Sequence, residues 1–243
     1  MTRRTWPVRM LRMLAIGFLS VAAGSILIVA VFRWLPVPVT SFMIYDYIAA
    51  SDEKRAGNHP AHDWVPWTEI SKQAAVAVIA AEDQKFLEHQ GFDLEAIDKA
   101  WTDAKRGRRL RGASTISQQV AKNLFLWPDQ SWPRKGLEAW FTLWIEWLWP
   151  KQRILEVYLN SAEFGRGVWG IEAASRHFFH KPAARLNHHE AALLAAVLPS
   201  PKRFRVDRPS PYVQQRQAWI LRQMSMLGGV RILDSLDNAK TVR

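Results

Sequence analysis

An apolar, alanine-rich run in this chain ends in two adjacent acids, which open the stretch Glu82-Asp83-Gln84-Lys85-Phe86-Leu87-Glu88-His89-Gln90-Gly91-Phe92-Asp93. Upstream, Ile70, Ala74, Ala77, Val78 and Ala81 recur at helical spacing, so the segment from Glu69 to Ala81 reads as a core helix with Glu82 at its end. A carboxylate half-desolvated there has a raised pKa and can transfer protons near neutral pH. The alternative is an exposed glutamate at a fraying helix end.

A second constellation is cationic and then polar. Lys105-Arg106-Gly107-Arg108-Arg109-Leu110-Arg111 places five basic residues in seven, a loop that either steers an anion or is simply solvated. It runs into Gly112-Ala113-Ser114-Thr115-Ile116-Ser117-Gln118-Gln119-Val120-Ala121-Lys122-Asn123. Glycine followed by Ser/Thr caps and a helix is a plausible anion site, because free N–H groups and the positive end of the macrodipole coincide there. Gln118 and Lys122 lie one turn apart on one face. The pattern of a nucleotide-binding P-loop is not matched. In a third constellation Glu138 follows Arg134 by four residues and Lys135 by three. This is either a weak helix-surface ion pair or a second acid held between cations.

Further elements must position these groups. Asp93 is a good N-cap for a helix over Leu94 to Lys105 with an apolar face of Leu94, Ile97 and Trp101. Ser131 with Pro133 just inside opens the helix that Pro150 stops. Another helix runs from Lys151 to Asn160, then a glycine-rich loop from Glu163 to Gly170, then a helix from near Ile171. Asn187 and Glu190 form a capping-box pattern before a buried Ala/Leu helix, and Ser210-Pro211 begins a last amphipathic helix to Leu227. No clear period-two run stands out, so the soluble part reads as mostly α, and the tail after Val230 as loosely held.

The 243 residues carry a net charge of +11, which invites anionic partners: nucleic acid, anionic lipid or a phosphorylated substrate. The absence of cysteine excludes disulfides, a thiolate nucleophile and Cys-ligated metal sites. Met13 to Phe32 is a charge-free run of 20 residues, about 30 Å as a helix, long enough to span a bilayer. It exceeds the core of about 7 to 15 residues of a cleaved signal peptide. Arg3, Arg4, Arg9 and Arg12 precede it and only Arg33 closely follows, which puts the N-terminus in the cytoplasm. Trp127, Trp132, Trp140, Trp144, Trp147 and Trp149 crowd one region, and indole rings favour the membrane–water interface, with core packing the alternative.

Together the motifs resemble those of the peptidoglycan glycosyltransferases, which polymerise lipid II and form the N-terminal module of bifunctional penicillin-binding proteins. Glu82-Asp83-x-x-Phe86-x-x-His89-x-Gly91 looks like the family's first motif, and Gly112-Ala113-Ser114-Thr115-Ile116-x-Gln118-Gln119-x-x-Lys122-Asn123 like its second. Arg134-Lys135-x-x-Glu138 is similar to the third. Ile154-Leu155-Glu156-x-Tyr158-Leu159-Asn160 with Gly165 resembles the fourth, and Glu190 to Pro199 the last. Five motifs in the family's order cover roughly Trp64 to Pro201. Many members carry an arginine ahead of the third motif, where this chain has Asp129-Gln130-Ser131. With Gln130 there, one cationic contact to a phosphate is missing or is supplied elsewhere, as by Arg134.

The resemblance implies a lysozyme-like helical domain behind one transmembrane helix, divided as cytoplasmic 1–12, anchor 13–35, connector 36–66, glycosyltransferase domain 67–230 and tail 231–243. The lack of room for a transpeptidase points to the monofunctional form, in the bacterial inner membrane with a periplasmic catalytic domain. It implies Glu82 as general base, with Glu138 assisting by orienting cations or helping to hold a divalent metal (Mg or Mn). Asp83, Ser114, Thr115, Gln118, Gln119, Lys122, Asn123, Arg134 and Lys135 are the expected substrate-binding residues, Asp83 also bracing the loop with His89. Phe86, His89, Gly91, Glu156, Asn160 and Gly165 are the expected structural ones. Expected partners are lipid II, the growing glycan, the membrane and other wall-synthesis proteins, not nucleic acid. The alternatives are a lytic transglycosylase or muramidase and a membrane-tethered scaffold without activity.

Overall fold

The computed structural model describes residues 6–52, 61–106 and 114–238. Its helices are α1 (Trp6–Phe32), α2 (Ser41–Asp52), α3 (Lys72–Glu82), α4 (Leu94–Lys105), α5 (Ile116–Phe125), α6 (Trp132–Leu148) and α7 (Lys151–Ser161). After these come α8 (Ile171–Phe179), α9 (His188–Val197), α10 (Pro211–Met226) and α11 (Asp234–Asn238). Three short strands, β1 (Ala61–His62), β2 (Glu163–Gly165) and β3 (Val168–Trp169), complete a mostly α fold.

Helix α3 is the hub. Ala74 to Ala80 are buried on every side of it, and it packs against α7, α9 and α10. Five of its eleven residues are alanine, a composition that keeps helix propensity high while letting three neighbours approach closely. Helix α5 packs between α6 and α7, so the second motif meets the third and fourth through the core. The predicted caps are present: Asp93 Oδ1 accepts from Ala96 N at 2.9 Å, Ser210 caps α10, and Asn187 and Glu190 form a reciprocal capping box.

The glycine-rich segment contains strands that the pattern did not reveal. β2 and β3 pair antiparallel and β1 joins β3 in parallel, with Ala61 opposite Val168 and Glu163 opposite Trp169. Strands of two and three residues are too short for a period-two signal. Gly170 is required at the exit: its φ is +84° and an added Cβ would lie 2.9 Å from the Asn160 carbonyl oxygen. The segment after Val230, expected to be loosely held, buries Leu233 and Leu236 against the core. Within 36–66, α2 rests on α5, where Ser41 Oγ donates to the carbonyl oxygens of Asn123 and Leu126.

In α1, Val8–Phe32 is long and apolar enough to cross a membrane. At its C-terminal end Ala22, Ser25, Ile26, Val29, Phe32 and Arg33 share one helical face, and Val29 is fully buried. Trp140 Nε1 donates to Ser25 Oγ at 3.1 Å, and Trp149 Nε1 to the Val29 oxygen at 2.7 Å. Arg153 reaches from α7 to the carbonyl oxygens of Phe32 and Leu35, and Arg33 answers by donating to the Leu148 oxygen at 2.6 Å. The last turn of α1 contains no basic residue, so Arg153 supplies from another helix the cation that a helix C-terminus favours. The tryptophan-rich segment is therefore of two kinds: Trp149 is buried, while Trp132 and Trp147 are 90% and 76% exposed.

Arg153→Ala removes these charge-assisted bonds and the guanidinium stacked 5.0 Å from the Trp64 ring. The expected loss is about 3 kcal/mol of stability, read as a lowered unfolding midpoint of the full chain in detergent.

Candidate functional site

Glu82 is the last residue of α3, at the helix's negative end and beside Asp83. Gln119 Nε2 donates to its Oε2 at 3.0 Å, and Tyr158 Oη donates at 3.4 Å to the Gln119 Oε1, which fixes which end of the amide faces Glu82. Arg216 Nη2, from α10, stands 3.4 Å from Oε1 and the same distance from the Ala81 oxygen. Burial pushes the Glu82 carboxyl above its usual range. The Gln119 hydrogen bond and then the charges of Arg216 and Lys122 pull it back down, and Asp83 adds to the rise.

Asp83 faces inward. His89 Nδ1 accepts from Gly91 N at 3.1 Å, so Nε2 carries the proton and donates to the Asp83 carboxylate at 2.9 Å. Asp83 Oδ2 also accepts from Ile116 N at 3.0 Å, the first residue of α5. An internal carboxylate thus stands at the helix start that the sequence offered as an anion site. Thr115 and Gln118, expected to bind substrate, are both buried. They form a buried capping box, with Thr115 Oγ1 accepting from Gln118 N and Gln118 Oε1 accepting from Thr115 N, while Thr115 Oγ1 donates to the Gly91 oxygen at 2.7 Å. Ser114 is exposed just outside the cap, and the expected loop residues 107–113 lie outside the described residues.

Glu138 is no surface ion pair: it is 3% exposed. Arg134 Nη1 donates to its Oε2 at 2.8 Å and Lys135 Nζ to its Oε1. Lys122, one turn beyond Gln119 on α5, feels the charges of both acids. Burial lowers its pKa, the negative charges of Glu138 and Glu82 raise it, and Arg134 and Lys135 lower it further. Its Nζ lies 5.3 Å from the centre of the Phe42 ring of α2. Both Glu138 oxygens already accept from cations, and among the described residues no group of three or more His, Asp or Glu is placed to hold a metal ion. The donor set therefore fits the orienting of cations rather than a resident divalent metal.

Glu82, Gln119, Lys122, Arg134, Lys135 and Glu138 are thus electrostatic neighbours. Asn123 is buried, and its carbonyl oxygen accepts from Ser41. Phe86 is fully buried beneath the Lys151 ammonium, 4.4 Å from its ring centre. Asn160 clamps both backbone groups of Val65 at 2.9 Å, Glu156 pairs with Arg153, and Gly165 leaves room for the Phe178 ring. A half-buried carboxylate beside a cluster of three cations suits proton abstraction coupled to departure of an anionic leaving group.

Residues 51–225 match the model of the transglycosylase family. The chain belongs to that family. A biosynthetic peptidoglycan transglycosylase of Pseudomonas putida strain F1 is 53% identical over 234 residues, covering 95% of this chain and 98% of the relative. Its namesake in Pseudomonas entomophila strain L48 is equally similar over the same length. That of Xanthomonas campestris pv. campestris strain B100 is 53% identical over 221 residues, 91% of this chain and 90% of the relative. The motif-based reading of this transglycosylase missed Arg216, which arrives from α10, 134 positions after Glu82. It also gave no role to Tyr158 or Phe42. Helical periodicity assigns Tyr158 to the core, and its hydroxyl partner is set by the packing of α7 on α5.

Gly91 holds the motif loop in place with φ at +89°, and an added Cβ would lie 2.8 Å from Thr142 Cγ2 and 2.9 Å from Glu146 Cγ. Gly91→Ala therefore combines left-handed strain with overpacking and is expected to cost about 2–4 kcal/mol, measured by chemical denaturation.

Proposed function

We propose that this transglycosylase polymerises lipid II by base-assisted displacement at the anomeric carbon, with Glu82 as the base. The 4-hydroxyl of an incoming lipid II attacks C1 of the growing chain's terminal sugar as Glu82 takes the hydroxyl proton. The new C1–O bond forms while the bond from C1 to the phosphate oxygen breaks, and undecaprenyl pyrophosphate leaves with the electron pair. A raised carboxylate pKa brings the base closer to the pH at which it works. Lys122, Arg134 and Lys135 receive the pyrophosphate. Three cations around the single charge of Glu138 leave a net excess of two positive charges for it, and Lys135, 42% exposed, is the most reachable of the three. Glu138 orients these cations. Asp83, His89 and the capping box of α5 position the base and the cations and do not touch the sugars.

The observation that carries this reading is the half-buried base at the end of α3 with the cation Lys122 acted on by its charge and by that of Glu138, a second carboxylate that itself gathers Arg134 and Lys135. A lytic enzyme cleaving finished glycan has no pyrophosphate to receive and no use for that cluster. The arginines ahead of the apolar run from Met13 to Phe32 favour an N-terminus in the cytoplasm, and with it a catalytic domain on the outer face of the bacterial inner membrane. There a lipid-linked substrate reaches the cleft while its tail stays in the bilayer.

Glu82→Gln is expected to lower lipid II polymerisation by about 10²–10⁴-fold without changing the fold or membrane association. Polymerisation at the wild-type rate would remove Glu82 from the chemistry. The pH–rate profile gives a second test. Activity requires the carboxylate, so it is lost as pH falls through the Glu82 pKa, and burial sets that acid limb above the ordinary value of 4.5. Arg216→Met removes a charge that lowers this pKa, so the limb moves to still higher pH, whereas Arg216→Lys leaves it near the wild-type position.

A further inference from the structure

Arg134, Lys135 and Lys122 are held in different ways. Arg134 Nη1 donates to Glu138 Oε2 at 2.8 Å, and Lys135 Nζ donates to Oε1 of the same carboxylate. Lys122 has no such tie. Among the described residues its ammonium makes no hydrogen bond and no ion pair, and Glu82 and Glu138 act on it through their charges. The group it does meet is the ring of Phe42, whose centre lies 5.3 Å from Nζ. A lysine stem is flexible, so an ammonium without a contact of this kind would sample many positions.

Phe42 is fixed through both of its neighbours. Thr40 caps α2: its Oγ1 accepts from Met43 N at 3.2 Å, and its carbonyl oxygen accepts from Ile44 N at 3.1 Å. Met43 is buried, and Ser41 Oγ donates to the carbonyl oxygens of Asn123 and Leu126. Asn123 directly follows Lys122, so the start of α2 is bonded to the backbone beside the lysine whose head its ring meets. Phe42 belongs to the connector behind α1, ahead of every motif that carries a charged group of the site. An aromatic face suits this cation better than a carboxylate would. The ring quadrupole attracts an ammonium without cancelling its charge, and it takes the place of no acceptor oxygen. A carboxylate on Lys122 would neutralise it and occupy a donor that a phosphate oxygen could use.

We propose that Phe42 is a positioning residue for the polymerisation, its ring holding the Lys122 ammonium by a cation–π contact that leaves the charge and the N–H donors for the substrate's pyrophosphate. The inference rests on the reading that Lys122 receives that pyrophosphate, and it adds the residue that keeps Lys122 in place. Phe42 acts through Lys122 and does not itself touch the substrate. Through it the connector helix becomes part of the cation cluster.

In the full chain, Phe42 would be replaced in turn by mono-, di- and trifluorophenylalanine, which weaken the negative ring face stepwise while nearly keeping the shape of the ring. The kcat/KM for lipid II polymerisation is expected to fall with each added fluorine, to a loss of about 5-fold with the trifluoro ring. Phe42→Tyr, which keeps the ring face, should stay within about twofold of wild type, and Phe42→Leu, which keeps apolar bulk without it, should lose about 10-fold. A ring that only packs predicts no such series, because fluorination preserves the packed shape and adds apolarity. A flat series, or Phe42→Leu as active as Phe42→Tyr, would overturn the proposal. Lys122→Met separates it from the reading on which it rests. Near wild-type activity in that variant would remove Lys122 from pyrophosphate binding, and Phe42 with it. A loss of about 10²-fold beside a flat fluorine series would leave Lys122 in its role and sink only that of Phe42.

Discussion

The Asp83 carboxylate is the constraint on which the site depends. It receives the His89 Nε2–H and the first amide of α5, and it follows directly after the last residue of α3. One side chain thus fixes the end of the helix that bears Glu82, the loop after it, and the start of the helix that bears Gln119 and Lys122. A buried carboxylate is tolerated because its hydrogen bonds replace the water it loses, and the α5 N-terminus adds the favourable end of a macrodipole. The first amide of that N-terminus is thereby committed to an internal carboxylate.

Those cations are arranged by the same rule. Glu138 is buried between Arg134 and Lys135, and Lys122 of the neighbouring α5 feels its charge. Like charges held this close repel one another, and a shared counter-charge reduces that repulsion without cancelling the excess. The site is therefore positive where an anion should gather and reluctant to ionise where a proton should be taken up. Burial works on both sides, raising the pKa of Glu82 and lowering that of Lys122, and each group opposes the shift in the other.

Much of this was legible in the chain. Helix ends carry local signals, and Asp93, Asn187 with Glu190, and Ser210-Pro211 stand where the caps are. The acids and cations of the site could be named because the motifs hold them at short spacing. What depended on packing could not be read. Arg216 meets Glu82 through the contact of α10 with α3, for which no local pattern exists. The spacing of Arg134, Lys135 and Glu138 is the same for a surface pair as for a buried cluster, and only α5 beside α6 decides between them. Of the adjacent hydroxyls, Thr115 caps α5 and is buried while Ser114 is exposed, a choice between neighbours that the Ser/Thr pattern does not make.

The union of α1 with α6 and α7 has a mechanical meaning. A helix joined to its domain by a flexible strap would let the domain swivel and tilt. Here Ser25, Val29, Phe32 and Arg33 are each tied by a side chain or a carbonyl to Trp140, Trp149, Arg153 and Leu148. The last two turns of the stalk are thereby built into the globule. Rotation of the domain about the membrane normal is then rotation of the stalk itself, and the altitude of the cleft is set by how deep the stalk sits. A molecule diffusing in the same sheet of lipid meets that cleft at one height and one inclination, so only its azimuth is left to chance.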